Sequence, residues 1–306
     1  MKRTAMTFVV LVWAGLLPAQ QAATPQNQPS SQASGAQSGT PQAGAAATPA
    51  QGKRPPQAKT QAEFDAYKAA TALSTDAPAF GKAADDFAAK YPTSELRILL
   101  FKASMHSFEN ANNADQMSAT AEKVLQIDPD DPEALVGAAQ AISERTRDTD
   151  IDKDQRWAQA QKYASHALET IETDVVIPAG TPQEKIDAYK GFVRSSAYSI
   201  LGTVVFSQEK YPEAENYFRK SIDAFPSQPD PVVVLRLAIS LDKQNKYPEA
   251  LKEANHAVEL TQEDSVAGKL ARQERDRLVQ LTGGSTPAPA SKPPAGGAQK
   301  QNPPSH

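Results

Sequence analysis

Between residues 61 and 282 apolar and small side chains recur at intervals of three and four, the spacing that places them on one face of a helix. Tyr198, Leu201, Gly202 and Val205 share one face of a helix ending near Ser207, and Ala214, Phe218, Ser221 and Ile222 line the next, which stops at Pro226. Val234, Leu237, Ala238 and Leu241 repeat the first face, and Ala250, Ala254 and Ala257 repeat the second. Ala, Leu, Glu, Lys and Gln dominate this region, and its few glycines and prolines fall between the periodic segments. The pattern predicts an all-α body with no strand.

The body is repetitive. The pentapeptide Lys-Tyr-Pro-Glu-Ala occurs at 210–214 and again at 246–250, each time between two predicted helices. A helix–turn–helix unit whose first helix carries large-x2-Leu-Gly-x2-apolar, and whose second carries Ala-x3-Phe before a proline, resembles the tetratricopeptide (TPR) family. Tyr198, Leu201, Gly202, Val205, Ala214, Phe218 and Pro226 fall at its offsets. The second copy keeps the spacing but has Gln262 in place of the closing proline. Upstream, Asp131 and Pro132 read as the cap and first position of another first helix. Lys90-Tyr91-Pro92 closes a Phe-containing helix, as in exported TPR proteins of the cell envelope. The run 145–157 is an insertion ahead of a second helix with Trp157, Ala160, Ala164 and Ala167. Thr181, Pro182 and Glu184 are the expected opening of the long helix toward Phe206. Four or five units are expected over 61–264, with 265–282 as a capping helix apolar at Val266, Leu270, Leu278 and Leu281.

The TPR resemblance implies a right-handed superhelical solenoid whose concave face is lined by the first helix of each unit. Carried onto this chain, the groove positions are Lys102, His106, Glu109, Val136, Gln140, Ser199, Thr203, Phe206, Leu235, Ile239 and Asp242. Members that read a C-terminal carboxylate use a Lys and Asn clamp. Here the corresponding places hold mainly Val136, Gln140, Ser199, Thr203, Leu235 and Ile239, so no such clamp is expected. The mixed lining suits an extended peptide or a partner helix, while packing between units accounts equally well for its apolar members.

The ends differ from the body. Lys2 and Arg3 precede the apolar run Thr7 to Leu17 and then small residues, the layout of a secretory signal peptide over 1–23, cleaved after Ala19 or Ala23. Membrane association is expected only if that segment stays uncleaved. Residues 24–60 are rich in Gln, Ala, Ser and Pro, and 283–306 in Pro, Ala and Gly; both read as disordered tails. Of 32 Lys and Arg, seven (Lys2, Arg3, Lys53, Arg54, Lys59, Lys292 and Lys300) lie outside 61–282, so the body has 25 against all 36 acidic residues, a net of −11. Such a charge repels phosphate backbones and argues against a nucleic-acid partner.

Catalytic chemistry finds little to stand on. With no cysteine there is no thiolate nucleophile, lipidation site or zinc-thiolate site, and no Gly-x-Ser-x-Gly, Ser-x-x-Lys or phosphate loop stands in a suitable context. His106, His166, His256 and His306 lack metal-ligand spacing. Asp148, Asp150, Asp152 and Asp154 alternate like the start of a calcium loop, but Lys153 or Gln155 stands where the loop needs glycine and Gln159 or Gln161 where it needs glutamate. Asp152 or Asp154 is instead expected to cap the next helix. No catalytic, cofactor or metal site is assigned. The expected function is an exported, periplasmic or secreted scaffold for a protein or peptide partner. The other readings are an envelope organiser held by an uncleaved N-terminus or basic tails, and an enzyme with an unrecognised site.

Overall fold

A computed structural model of the chain describes residues 53–178 and 180–283. Among these residues are eleven helices and no named strand: α1 (Gln61–Thr71), α2 (Ala77–Lys90), α3 (Leu96–Asn110), α4 (Ala114–Ile127), α5 (Pro132–Arg145), α6 (Lys153–Thr170), α7 (Gln183–Ser207), α8 (Tyr211–Ala224), α9 (Pro231–Asp242), α10 (Tyr247–Glu259) and α11 (Val266–Leu281). Each helix packs on its successor, and α1 also meets α3, α3 meets α5, α5 meets α7 and α9 meets α11. The first ten helices are thus five hairpins in a row, with contacts confined to neighbours and α11 closing the end. That is the all-α helical-repeat solenoid expected from the periodicity, and it is consistent with the TPR resemblance.

Helix starts follow from local chemistry. Asp131 accepts from the Ala134 N–H at 2.9 Å and Asp230 from the Val232 N–H at 2.7 Å, each followed by proline in the first turn, where a missing N–H costs nothing. Two expected caps are corrected. Thr181 donates its hydroxyl to the Pro178 carbonyl, and α7 begins after Pro182 without a side-chain cap. Asp152 sits at the N-cap of α6, but its carboxylate bonds Arg156 Nε at 2.8 Å rather than a backbone N–H. The i,i+4 guanidinium wins because it is the stronger, charge-assisted donor.

Three of the turns inside hairpins share one geometry. Asn112, Glu209 and Asn245 have φ of 53°, 60° and 60°, in the left-handed region. The next residue sends its N–H back across the end of the first helix, Asn113 to Phe108, Lys210 to Val205 and Lys246 to Leu241, at 2.9, 2.9 and 3.0 Å. This is a Schellman ending, which satisfies carbonyls that a helix leaves unpaired. The two KYPEA copies follow directly: Pro212 and Pro248 lie in the first turn of α8 and α10, and Ala214 and Ala250 are fully buried. Tyr211 meets the Phe206 ring edge-on at 5.6 Å. KYPEA is therefore a joint.

The core runs along the hairpins as a series of clusters, several of them bridged by partly buried side chains such as Leu125, Tyr163 and Tyr217. Val205, Ala214, Phe218, Leu237, Ala238, Leu241, Ala250, Leu251 and Leu278 form one cluster joining α7 to α11. On α11, Leu278 and Ala271 are buried, whereas Val266, Leu270 and Leu281 are about half exposed, so most of the expected apolar stripe faces outward.

Residues 53–60, which composition groups with the tail, lie against the solenoid. Lys53 Nζ contacts Asp128 at 2.8 Å and Asp174 at 2.7 Å, and its backbone makes a parallel bridge with Val176. Arg54 pairs with Glu95 at 2.6 Å, Lys59 Nζ donates to the Thr93 carbonyl at 2.8 Å, and Ala58 packs on the core of the first hairpins. The tail assignment is corrected for this segment, whose charges find partners in the turns between hairpins. The signal peptide, the remainder of the N-terminal tail and residues 284–306 lie outside the described residues.

Candidate functional site

The expected groove positions fall on the first helices α3, α5, α7 and α9, but they are not a row of free side chains. Lys102 on α3 reaches the start of α5, with Nζ 2.9 Å from Asp131 and 3.1 Å from Glu133, and its side chain is 16 % exposed. One turn on, His106 places Nε2 3.3 Å from Glu133 and Nδ1 3.3 Å from Glu109. Burial opposes charge on His106, but the bonds to Glu109 and Glu133 outweigh it and hold the imidazole up to about 10. Burial also works against the Glu133 carboxylate, yet Lys102 and His106 bring it down to about 2. Lys102 is raised: burial opposes its charge, and the two carboxylates overcome that. Burial pushes the Asp131 carboxyl up against the pull of Lys102. These groups form a mutually satisfied charge cluster that ties the second hairpin to the third.

The same device recurs toward the C-terminus. Arg236 on α9 donates to Thr203 Oγ1 on α7 at 2.6 Å, and Arg277 on α11 pairs with Asp242 on α9 at 2.5 Å. Side chains at groove positions thus link α3 to α5, α7 to α9 and α9 to α11. Sequence reasoning names one partner of each pair, reads Asp131 only as a cap, and misses Glu133, Arg236 and Arg277, because the pairing depends on how successive hairpins stack.

The remaining positions divide by exposure. Val136 and Leu235 are 9 % and 4 % exposed and belong to core clusters, in keeping with the packing alternative for the apolar members of the lining. Phe206 is half-buried against Tyr211 and Phe218, and Ile239 against the cluster of Val234 and Ala257. Gln140 bonds Glu144 at 3.2 Å, and Ser199 is half-buried, its carbonyl accepting from Thr203. Gln140, Ser199, Thr203, Phe206 and Ile239 are half-buried, as are Lys102, His106, Glu109 and Asp242 in the paired groups.

Two aspartates of the α5–α6 insertion, Asp150 and Asp152, face Arg156. Asp150 accepts from the Arg147 N–H at 2.9 Å and lies 3.7 Å from Arg156, which also holds Asp152. Among the described residues no group of three or more His, Asp or Glu side chains is placed to hold a metal ion. His166 bonds Asp130 at 2.7 Å, and His256 lies 3.7 Å from Glu253. Among the described residues no helix is long and apolar enough to cross a membrane.

No protein-family model and no curated protein matches the chain. Among solved structures it is similar to a thermophilic TPR protein of Thermus thermophilus, with 12 % identity over 72 % of this chain and 98 % of that one and a TM-score of 0.43. PilF of Pseudomonas aeruginosa is 16 % identical over 74 % of this chain and 96 % of that one, with a TM-score of 0.48. Cut9-Hcn1, an APC/C hetero-tetramer, is 13 % identical over 73 % of this chain and 50 % of that one, with a TM-score of 0.33. At these values a functional reading rests on the chain's own geometry.

Proposed function

We propose that the protein is a non-enzymatic interaction scaffold that binds an extended peptide or a helix of another protein along the face of its first helices. One observation carries the reading: α3, α5, α7, α9 and α11 are linked in succession through Lys102–Glu133, Thr203–Arg236 and Asp242–Arg277, with α5 packed on α7, which leaves Gln140, Ser199, Phe206 and Ile239 as half-exposed mixed lining on a rigid frame. A fixed frame with a few accessible apolar and amide groups suits peptide capture, because little entropy is lost in ordering the receptor. The signal-peptide layout of residues 1–23 supports export, so the partner is sought outside the cytoplasm.

A photo-crosslinking residue at Gln140 or Ser199 tests the site against one at Asn216 or Lys252 on the exposed side of the second helices. Crosslinks to one partner from the first pair and none from the second are expected. Crosslinking from the second pair alone would place the partner elsewhere. N-terminal sequencing of the mature protein tests export, the expected start being Gln20 or Thr24.

A further inference from the structure

The first three of the turns joining one hairpin to the next, those after α2, α4 and α6, lie against the chain's own N-terminal segment. Glu95 precedes α3, Asp128 ends α4, and Asp174 follows α6. Other acids nearby are held by the solenoid itself: Asp130 by His166, and Glu172 by Lys190 and Arg194. Glu95, Asp128 and Asp174 are different. Among the described residues, the cations bonded to them are Arg54 and Lys53.

The segment that supplies these cations reads Lys-Arg-Pro-Pro-Gln-Ala-Lys-Thr, and it contacts the three inter-hairpin turns in an extended conformation. Pro55 and Pro56 restrict the backbone to extended geometry, which lowers the entropy lost on docking. Backbone contacts add to the charges, with Gln57 N–H bonded to Glu95 at 3.1 Å and Lys53 bridged to Val176. Its apolar contribution is small, since Ala58 is only partly buried and Pro55 and Pro56 are half-buried. Partly exposed ion pairs without a large apolar anchor can be exchanged.

We propose that the acidic edge of Glu95, Asp128 and Asp174 is a second interaction surface, one that takes an extended, basic, proline-containing segment of another protein, and that residues 53–60 occupy it in cis until such a segment displaces them. This surface is separate from the face of the first helices, and it does not depend on the reading given for that face.

The probe is the capped peptide KRPPQAKT carrying a fluorophore, titrated into the full chain and into its Lys53→Glu, Arg54→Glu variant. The variant's own segment is repelled from the edge, so the peptide is expected to bind it at least about tenfold more tightly than it binds the wild-type chain. Adding Asp128→Asn and Asp174→Asn is expected to abolish that binding, and raising the salt concentration to weaken it severalfold. Equal affinity for both chains, no binding to the variant, or binding that survives the Asp→Asn changes would each overturn the proposal. If the charge reversals unfold the chain by circular dichroism, Lys53→Gln, Arg54→Gln replaces them, with the same expectations and the same overturning results.

Discussion

Gly202 on α7 and Phe218 on α8 share one contact: a Cβ on Gly202 would stand 2.6 Å from Phe218 Cε1. Phe218 is fully buried and Ala214, one turn earlier, is equally so, which leaves the ring no direction in which to yield. Gly202→Ala is expected to destabilise the protein by ~1–3 kcal/mol through overpacking, and Ala214→Leu by a similar amount. Urea unfolding followed by circular dichroism measures both. A neutral Gly202→Ala would mean that the two helices are free to separate.

The hairpin joints store conformational cost. Glu209 adopts a backbone conformation that an L side chain resists, and only glycine enters it freely. Glu209→Gly is expected to stabilise by ~0.5–1 kcal/mol, the left-handed penalty exceeding the entropy that glycine adds to the unfolded chain. Glu209→Val should do the opposite. Thermal melts of the two variants, taken together, check the sign.

The cluster of Lys102, His106 and Glu133 makes stability depend on pH at both ends. For His106 the folded value of about 10 lies above the ordinary 6.5, so its contribution is complete below about pH 6.5 and is lost as pH rises toward 10. For Glu133 the folded value of about 2 lies below the ordinary 4.5, so its contribution is complete above about pH 4.5 and is lost as pH falls toward 2. Both are complete between about pH 4.5 and 6.5. Glu133→Gln is expected to bring the His106 titration, followed by NMR, down toward its ordinary value. An unchanged His106 titration would show that Glu109 alone holds the proton.

Leu278 is the buried anchor of α11, in the same cluster as Leu241 and Leu251. Leu278→Ala is expected to cost ~2–5 kcal/mol, the range for emptying a core leucine site. Arg277→Ala is expected to cost under ~1 kcal/mol, because that guanidinium remains half exposed. Denaturant titration of the two single variants distinguishes a helix held by packing from one held by charge.

The repeat is legible in the chain because its determinants are local. Gly202, Ala214 and Phe218 sit at fixed offsets along two helices, and a 3.6-residue period locates them without knowledge of the third dimension. The left-handed joints are less visible, since Glu209 in such a conformation has no sequence signature; Asn245 and Asn112 come nearer to one. The charge cluster is the opposite case. Lys102 and Glu133 are each ordinary residues for a helix surface, and their pairing exists only once the second and third hairpins stack. Residues 53–60 mislead for a physical reason as well. Their composition cannot build a core, but a short strap needs none when its cations face carboxylates already fixed by folded turns. Sequence leaves lining and packing open for Val136 and Leu235; both are buried, because a first helix in the middle of a row has neighbours on both sides that cover apolar positions at its margin.

The same strap bears on the order in which the protein comes apart. In a row of hairpins with contacts confined to neighbours, the end units open first and loss spreads inward. Lys53, Arg54 and Lys59 span the turns after α2, α4 and α6, so one segment ties three N-terminal hairpins at once, while α9, α10 and α11 are joined by packing and by pairs such as Asp242–Arg277 that each link a helix only to a near neighbour. Unravelling is therefore directional: amide exchange should proceed from α11 backward, with the first three hairpins surviving as the last cooperative block.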